Sequence, residues 1–383
     1  MRPPSYVELI QPQPAFRVDG SMHKHAYLSV MNASTTRVRV AVLGASGFAG
    51  GELIRLLDAH PDADVTFLGA HGSVGKTLVE VHPNLSSLAL GIDVLRDPIA
   101  ADVAGTADVA FCSLPHGASA ALAPSLLEAG VKVIDLAGDF RLPASAYPDW
   151  YGFEHPAPDW LGKAVYGLPE LFGDQLLGAQ LVANPGCFPT SVILGLAPLL
   201  SAGLVEPGPI HVDGKTGLSG AGRTQSETTL YASSEESVRP YRVPRHQHTP
   251  EMERGLELAT GFTPSILFVP HLVPAVRGVV TTSYAPLASG VTTESLTSCL
   301  ADAYSGRPFV RVMPAGEMVD SKRTRGSNVV ELQAVADPRT GTAVVVGALD
   351  NLVKGAAGQA IQNLNLILGL DEATALPTLG VYP

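Results

Sequence analysis

The sequence contains little cysteine, and the number is odd. Only three cysteines, Cys112, Cys187 and Cys299, occur among 383 residues. A sparse, odd set argues against a disulfide framework and favours a reducing compartment. We therefore expect a cytoplasmic protein whose cysteines serve packing or chemistry.

Long apolar runs and an excess of positive charge are also absent. No run reaches the roughly 18 apolar residues that a membrane-spanning helix requires. The formal net charge is −11, and an acidic chain without a basic stripe is a poor ligand for nucleic acid. These absences argue against a membrane protein and against a nucleic-acid-binding protein.

What the chain does contain suits a packed two-domain enzyme. Hydrophobic residues make up 46% of the chain and charged residues 16%, which is typical of a globular protein. The first part differs, because residues 1–37 show no sustained period of two or 3.6. We expect a flexible N-terminal extension over residues 1–37, followed by structured domains.

Residues 38–186 alternate between strand-like and helical patterns. Val38–Leu43 is a β-branched, apolar run typical of a buried parallel strand, and a helical pattern follows it up to Pro61. Further strands are predicted over 65–68, 109–113 and 131–136, with a helix over 119–128. Such alternation predicts an α/β domain of the Rossmann type, with a doubly wound parallel sheet.

Strand-like runs outnumber helices in the next part of the chain. Four of them, at 266–269, 279–284, 329–335 and 343–349, predict an α+β domain over residues 187–349 with a mostly antiparallel sheet. Residues 352–368 return to helical patterning. We expect the segment 350–383 to pack back on the first domain.

A glycine-rich turn directly follows the first predicted strand. Gly44, Gly47 and Gly50 fit the pattern G-x-x-G-x-x-G, and glycines there let the backbone approach a pyrophosphate at the N-terminus of the next helix. The strand before and the helix after favour a dinucleotide site over the alternative, a tight strand–helix turn without a ligand. The residues predicted to bind the cofactor here are Gly44, Ala45, Ser46, Gly47, Phe48 and Ala49.

The end of the second predicted strand indicates which dinucleotide binds. An NAD enzyme usually carries Asp or Glu there for the ribose 2′-hydroxyl. Here the chain continues with His71, Gly72 and Ser73, and Lys76 follows. Ser73 and Lys76 could hold a 2′-phosphate, which predicts NADP(H) as the cofactor.

Cys187 stands before an apolar helix predicted over 191–200. Pro189 lies near the first helical turn, where its missing N–H is tolerated. A cysteine at a helix N-terminus favours thiolate over thiol, so Cys187 is the candidate nucleophile. Cys112 and Cys299 lie in apolar patterns, and we expect them to be buried packing residues.

A histidine cluster follows at residues 245–251. His246 and His248 could form a metal pair, but no third ligand lies at a suitable spacing, so we predict no metal site. The alternative is general acid–base chemistry by one histidine, with the other and Glu251 orienting it. A polar surface loop remains the alternative without function.

Two loops are candidates for anion binding. The first runs from Gly214 to Arg223, where Lys215, Ser219 and Arg223 could hold a phosphate or carboxylate together with backbone N–H groups. Arg141 is a second candidate cation. Solvated loop residues are the alternative for both.

The run Pro185-Gly186-Cys187-Phe188-Pro189-Thr190 resembles the signature of N-acetyl-gamma-glutamyl-phosphate reductases, relatives of aspartate-semialdehyde dehydrogenase. The resemblance extends from Val38 to Pro383 and does not include the N-terminal extension. The other matching segments are 44–51, 114–117, 139–142, 166–170, 219–223, 246–251, 270–278, 326–328 and 350–359.

The resemblance implies NADPH-dependent reduction of an acyl phosphate to a semialdehyde, with release of inorganic phosphate, in arginine biosynthesis. Cys187 would form a thioester, and His248, with His246 nearby, would move the proton. Family members are homo-oligomers, which implies a homodimer or homotetramer. The resemblance also implies cofactor contacts from Pro115, Gly220 and Asn351, the last near the nicotinamide, and a substrate contact from Tyr241.

Two alternatives remain. A sister reductase, acting on aspartyl phosphate or on a carrier-bound aminoadipyl phosphate, would share the nucleophile and the cofactor fold. A non-catalytic NADP-binding sensor would share only the fold, and the presence of Cys187 with both histidines argues against it.

Overall fold

The computed structural model describes residues 37–88 and 90–383. The extension predicted over residues 1–37 therefore lies outside the described residues, apart from Arg37. Within the described chain, no helix is both long and apolar enough to cross a bilayer.

The described strands fall into two sheets. Those of the first sheet are β1 Val38–Leu43, β2 Ala63–Gly69, β3 Val109–Cys112, β4 Lys132–Asp135, β5 Val165–Tyr166 and β6 Leu181–Ala183. Those of the second are β7 Ile210–Thr216, β8 Arg239–Pro240, β9 Ile266–Leu272, β10 Val279–Pro286, β11 Val310–Val312, β12 Val330–Asp337 and β13 Thr342–Leu349.

The helices of the described chain are mostly short. They are α1 Phe48–Leu57, α2 Leu78–Val81, α3 Ala100–Thr106, α4 Ala118–Glu128, α5 Tyr147–Tyr151, α6 Pro158–Leu161, α7 Pro169–Leu176, α8 Cys187–Ser201, α9 Tyr231–Ser234, α10 His248–Thr260, α11 Thr293–Ala303, α12 Ser321–Thr324 and α13 Gly358–Ile367.

The first sheet confirms the predicted Rossmann-type domain. Its strand order is β2-β1-β3-β4-β6-β5, and every neighbouring pair is parallel. Residues 40–43 of β1 are fully buried, as expected for a strand covered on both faces. The chain order reverses between β1 and β3, which opens a crevice at the carboxyl ends of these strands.

The second sheet is mostly antiparallel, as predicted. Its order is β11-β12-β13-β10-β7-β9-β8, and only the β11–β12 and β7–β9 pairs are parallel. Helices α8, α10 and α11 pack on one face. The opposite face is formed by alternate, partly exposed residues of the central strands, such as Leu267 and Tyr284.

Helix α8 starts earlier than predicted. It begins at Cys187 rather than at residue 191, with Gly186 as its N-cap. Pro189 does not interrupt the helix, because the backbone N–H that proline lacks would have no hydrogen-bond acceptor within the first turn. The earlier start places the Cys187 side chain within the first helical turn.

The end of the chain packs on the first domain. Helix α13 contacts α7 and α1, and a π-helical turn, Val353–Ala357, precedes it. Lys354 of this turn is fully buried, and its Nζ lies 2.6 Å from Oε1 of Glu170. The helical run predicted over 352–368 is therefore a π turn followed by a shorter α-helix.

Two of the three cysteines were predicted as buried packing residues. Cys112 is fully buried in β3, which confirms the prediction. Cys299 on α11 is only partly buried, so the prediction was wrong in degree. Helix α11 is amphipathic at the surface, and Cys299 lies at the edge of its buried stripe.

Candidate active site

One large cavity lies between the carboxyl ends of the first sheet and the second domain, with a volume of about 1130 Å³. Most predicted site residues line it, and Ala45, Lys215 and Glu251 do not. The predicted residues that line it are Gly44, Ser46, Gly47, Phe48, Ala49, Ser73, Lys76, Pro115, Arg141, Cys187, Ser219, Gly220, Arg223, Tyr241, His246, His248 and Asn351.

The glycine-rich turn joins β1 to α1 at the rim of the cavity. Gly44 has φ +91°, and a Cβ there would lie 2.0 Å from the carbonyl oxygen of Ser113. Only glycine fits this close approach of two neighbouring strand ends. The turn leads into the N-terminus of α1, where unpaired N–H groups can receive the pyrophosphate of a dinucleotide.

Ala45 is fully buried behind this turn, so it supports the site through its backbone and does not touch the cavity. Arg223 reaches the turn from the second domain. Its Nη1 lies 3.1 Å from the carbonyl oxygen of Ser46, and its Nη2 lies 2.6 Å from that of Val81. The Arg223 guanidinium therefore lies on the cofactor side of the cavity.

The corner predicted for the 2′-phosphate is a short 3₁₀ turn, His71–Ser73, followed by Lys76. Ser73 and Lys76 both line the cavity. A carboxylate is also nearby, because Oδ1 of Asp97 lies 2.7 Å from Nδ1 of His71. This pairing joins residues 26 positions apart and is not visible in the sequence; Asp97 itself does not line the cavity.

Cys187 combines a helix N-terminus with burial. Burial raises the pKa of its thiol to about 11, and Glu251 adds to this rise, whereas hydrogen bonds from the N–H groups of Phe188 and Cys187 oppose it. The helix N-terminus thus favours the thiolate, as expected, while burial of the sulfur opposes it. Here desolvation outweighs the helix N-terminus.

Both histidines of the cluster are held neutral. Burial, and then the positive charge of Arg242, lowers the pKa of His246 to about 3. The pKa of His248 also falls well below its usual value, first because of burial and then because of His246. Neutral imidazoles are able to accept a proton.

The two rings differ in their contacts. Nδ1 of His246 accepts the backbone N–H of His248 at 3.1 Å, whereas Nδ1 of His248 has no hydrogen-bond partner among the described residues. A Cβ at Gly186 would lie 2.4 Å from Nε2 of His248. The His248 ring therefore packs directly against the residue that precedes Cys187.

Glu251 does not orient either histidine, which corrects the sequence prediction. Its carboxylate is fully buried and accepts hydrogen bonds from Gly186 N–H at 2.7 Å, from the Tyr166 hydroxyl at 2.9 Å and from Arg141 Nη1 at 2.8 Å. Glu251 lies on α10 about one turn after His248, and its side chain faces residues 184–187, here called the cysteine loop. Glu251 thus fixes the loop that carries Cys187, the candidate nucleophile.

Arg141 was predicted to be a substrate cation, and its contacts contradict this. Its three guanidinium nitrogens donate to Glu251, to the carbonyl oxygen of Asn184 and to that of Leu136. Burial alone would lower its pKa, yet the Glu251 carboxylate raises it. Its positive charge is neutralised within the protein by Glu251. Arg141 therefore lines the cavity as one partner of a structural ion pair.

Lys215 is also in a different place from the one predicted. On β7 the side chains alternate between two faces, and Thr216 points to the cavity while Lys215 points away. Its Nζ lies 2.5 Å from Oδ1 of Asp213 on the same face. The period of two in a strand therefore removes Lys215 from the site.

Asn351 and Ser219 form one unit near the centre of the cavity. Nδ2 of Asn351 donates to Oγ of Ser219 at 2.9 Å, and Oδ1 of Asn351 accepts the N–H of Gly278 at 2.8 Å. These bonds tie the start of the returning segment to the loop after β7. The side chains are therefore held in place before any ligand binds.

Sequence reasoning missed several lining residues. His116, Asn184 and Arg242 all line the cavity. Arg242 has φ +48° and its Nη1 lies 2.6 Å from Oε1 of Gln247; a non-glycine residue in this region of backbone space often marks a functional site. His116 was recognisable from its position after β3, at the carboxyl edge of the sheet, where ligands of this fold bind.

No group of three or more His, Cys, Asp or Glu side chains suited to a metal ion occurs in the described part of the chain. His246 and His248 lie with their ring centroids 4.7 Å apart and their planes at 61°. Phe188 packs against both rings, so the pair lies in an aromatic setting rather than an acidic one.

Comparison with known proteins agrees with this architecture. Residues 39–179 match the family model described as "Semialdehyde dehydrogenase, NAD binding domain", and residues 187–351 match "Semialdehyde dehydrogenase, dimerisation domain". The chain resembles solved structures of aspartate semialdehyde dehydrogenase II from Vibrio cholerae in complex with ASA (TM-score 0.67, 18% identity, covering 87% of this chain and 99% of the other) and of the Candida albicans enzyme with NADP (TM-score 0.63, 16% identity, 87% and 99%). At these identities the likeness concerns the fold.

Curated relatives are much more similar in sequence. Proteins named N-acetyl-gamma-glutamyl-phosphate reductase from Magnetococcus marinus and Symbiobacterium thermophilum are each 45% identical to the chain, covering 90% of it and 99% of the relative. The relative of the same name from Desulforudis audaxviator is 46% identical, covering 90% of the chain and 100% of the relative. The chain therefore belongs to the N-acetyl-gamma-glutamyl-phosphate reductase family of semialdehyde dehydrogenases.

Proposed function

We propose that the chain reduces N-acetyl-γ-glutamyl phosphate to N-acetylglutamate semialdehyde with NADPH and releases inorganic phosphate. The observation that carries this proposal is the meeting of Cys187, both histidines and the glycine-rich turn in one cavity. A nucleophile, a proton acceptor and a dinucleotide cradle are the parts that this reaction requires. The names of the family relatives supply the substrate and the place in arginine biosynthesis.

The first step is attack of the Cys187 sulfur on the acyl carbon. Because burial keeps the thiol protonated near pH 7, the proton leaves as the C–S bond forms, and His248 accepts it. The tetrahedral adduct then expels phosphate as its C–O bond breaks. A thioester on Cys187 remains.

The glycine-rich turn with Ser73 and Lys76 would hold NADPH, which would supply the hydride for reduction of this thioester. Protonated His248 would donate its proton to the oxyanion formed by the reduction, giving a thiohemiacetal. As the C–S bond breaks, His248 would take the hydroxyl proton back and pass it to the Cys187 sulfur, so that the semialdehyde leaves and the thiol is regenerated. Glu251 and Arg141 keep the loop before Cys187 in place through Gly186 and Asn184. This positioning lets the sulfur face both reaction partners.

The cofactor cradle fits NADP(H). The glycine-rich turn would receive the pyrophosphate, and we assign the adenosine 2′-phosphate to Lys76 and Ser73, which line the same cavity. Pro115, Gly220 and Asn351 also line the cavity, and we assign the nicotinamide end to them. No metal is needed in this scheme.

Because Arg141 and Lys215 are paired with carboxylates of the protein, other cations have to bind the anionic groups of the substrate. Arg242 lies beside the histidines and lines the cavity with Tyr241. We assign the substrate carboxylate or phosphate to Arg242 and Tyr241, with Ser219 as a hydroxyl donor and Arg223 at the cofactor side. The residues at this end of the cavity would also have to discriminate N-acetyl-γ-glutamyl phosphate from the substrate of a related reductase, such as aspartyl phosphate.

A homodimer is the assembly that we propose, formed through the open face of the second sheet. Leu267 is 46% exposed and Tyr284 41% exposed on this face, and the matched family domain carries the description of a dimerisation domain. Leu267→Asp should convert the dimer to monomers in sedimentation velocity, and an unchanged sedimentation coefficient would reject this face.

The free cysteines support a location in the cytoplasm.

The function is tested by running the reaction backwards, because the acyl phosphate is labile. Purified protein receives N-acetylglutamate semialdehyde, NADP and phosphate, and the absorbance of reduced nicotinamide is followed. We expect phosphate-dependent reduction of NADP that disappears in Cys187→Ser. Aspartate semialdehyde is the parallel substrate, and turnover of that compound alone would move the protein to a sister reductase.

A further inference from the structure

His82 is a buried histidine that the cysteine chemistry does not use. It is 7% exposed, and its Nε2 lies 2.8 Å from the carbonyl oxygen of Ala45 in the glycine-rich turn. A carbonyl oxygen only accepts hydrogen bonds, so Nε2 carries a proton and donates it. Burial lowers the pKa of His82, which keeps the ring in the neutral Nε2–H form.

This bond fixes the orientation of one peptide group. In a trans peptide the C=O of one residue and the N–H of the next point in opposite directions. Holding the Ala45 carbonyl toward His82 therefore turns the Ser46 N–H the other way. Ala45 is fully buried whereas Ser46 lines the cavity, and among the described residues the Ser46 N–H has no acceptor. The free donor is thus presented to the cavity.

The ring is itself held in a close-fitting place. A Cβ at Gly51 in α1 would lie 2.5 Å from Cε1 of His82, so the absence of a side chain at Gly51 makes room for the imidazole. Upstream, Thr77 and Glu80 form a reciprocal capping box around α2. The helix fixes the backbone of His82 through the bond from its N–H to the Leu78 carbonyl oxygen at 2.7 Å.

Arg223 ties the same two segments together from the second domain. Its guanidinium donates to the carbonyl oxygen of Ser46 and to that of Val81, the residue before His82. Two successive carbonyls of the glycine-rich turn, those of Ala45 and Ser46, are therefore held by side chains from outside the turn. The glycine pattern alone does not specify these contacts.

We propose that His82 is a positioning residue for the dinucleotide, holding the Ala45–Ser46 peptide so that the Ser46 N–H meets the pyrophosphate. This inference rests on the proposed use of a nicotinamide dinucleotide. Since NADPH and NADH share the pyrophosphate, His82 acts equally on both. Lys76, which faces the 2′-phosphate, acts on NADPH alone.

The test measures binding without turnover, by titration calorimetry of the full chain with NADPH and with NADH. His82→Ala should raise Kd for both about tenfold, whereas His82→Gln, which retains an N–H donor at a similar position, should stay within about threefold of the wild type. The rate of Cys187 alkylation should not change in either variant, because Cys187 lines the cavity and His82 does not.

A pair of variants separates hydrogen bonding from packing. Gly51→Ala should lower the melting temperature, because its Cβ meets the His82 ring. Gly51→Ala combined with His82→Ala should recover the melting temperature but keep the high Kd. A double variant with wild-type Kd, or a His82→Ala protein that binds both dinucleotides as the wild type does, would overturn the proposal. A failure of the proposed function appears instead in the semialdehyde assay of the wild-type protein.

Discussion

The cofactor half and the cysteine half of one cavity are built in different ways. The glycine-rich turn is a single run of neighbouring residues between β1 and α1, so a short stretch of sequence identifies it, although His82 and Arg223 hold two of its carbonyl groups from outside the turn. The loop before Cys187 is fixed by Glu251, which itself bonds to Arg141 and Tyr166. Along the chain, Glu251 is 110 residues from Arg141 and 85 residues from Tyr166. A local motif thus identifies the dinucleotide cradle, whereas charged residues beside the cysteine gain their roles only from distant partners.

The largest expected effect is a loss of kcat, and it tests which of the two histidines in the cysteine half is the general acid–base group. His248→Ala should lower kcat by about 10²- to 10⁴-fold, the range for loss of a general acid–base group, because its ring lies against Gly186. His246→Ala, whose Nδ1 already accepts a backbone N–H, should cost less. Steady-state kinetics of the reverse reaction compares the two, and a greater loss in the His246 variant would exchange their roles.

Breaking the buried ion pair should be the next largest effect. Glu251→Ala leaves Arg141 buried without its partner, which should lower the free energy of unfolding by about 3–5 kcal/mol. The matched control is Arg254→Ala on the same helix, whose pair with Glu257 is 43% exposed at the arginine and 39% at the glutamate and should be worth at most about 1 kcal/mol. Urea unfolding measures both, and equal losses would contradict the distinction between the halves.

The pH dependence of cysteine reactivity tests the burial of the nucleophile. Since the pKa of Cys187 is raised to about 11, the thiolate fraction in the free protein should grow about tenfold with each pH unit between 7 and 9. The rate of alkylation by iodoacetamide should rise in parallel. Peptide mass spectrometry separates the labelling of Cys187 from that of Cys299, because both side chains are partly exposed. A rate that levels off near pH 7 would indicate that the helix N-terminus outweighs desolvation.

The smallest expected effect lies in the cofactor half. Lys76→Ala should weaken NADPH by roughly tenfold, because each tenfold in Kd is about 1.4 kcal/mol, the size of one hydrogen bond to a charged group. Affinity for NADH should change little. Calorimetric titration with both cofactors checks this, and an equal loss for the two would mean that Lys76 does not contact the 2′-phosphate.

Most of the fold was predictable because its signals are local. The parallel sheet, the antiparallel second sheet and the position of Cys187 at a helix start each follow from periodicity, glycine and proline in a short window. The errors concern residues whose partners are remote: Glu251 faces Gly186 rather than a histidine, and Arg141 is neutralised rather than free. Lys215 was misplaced because the face of β7 that covers the cavity depends on the packing of the whole sheet.

The sequence by itself determined the dinucleotide turn, the candidate nucleophile and the family, since these are contiguous patterns whose chemistry needs neighbouring residues in a fixed order. Only the tertiary structure decided which charges are free, which imidazole adjoins the cysteine loop and how far burial shifts each pKa. Coulombic and desolvation energies depend on distances through space and on excluded water. Those distances come from packing elements that are remote along the chain, and a one-dimensional pattern does not contain them.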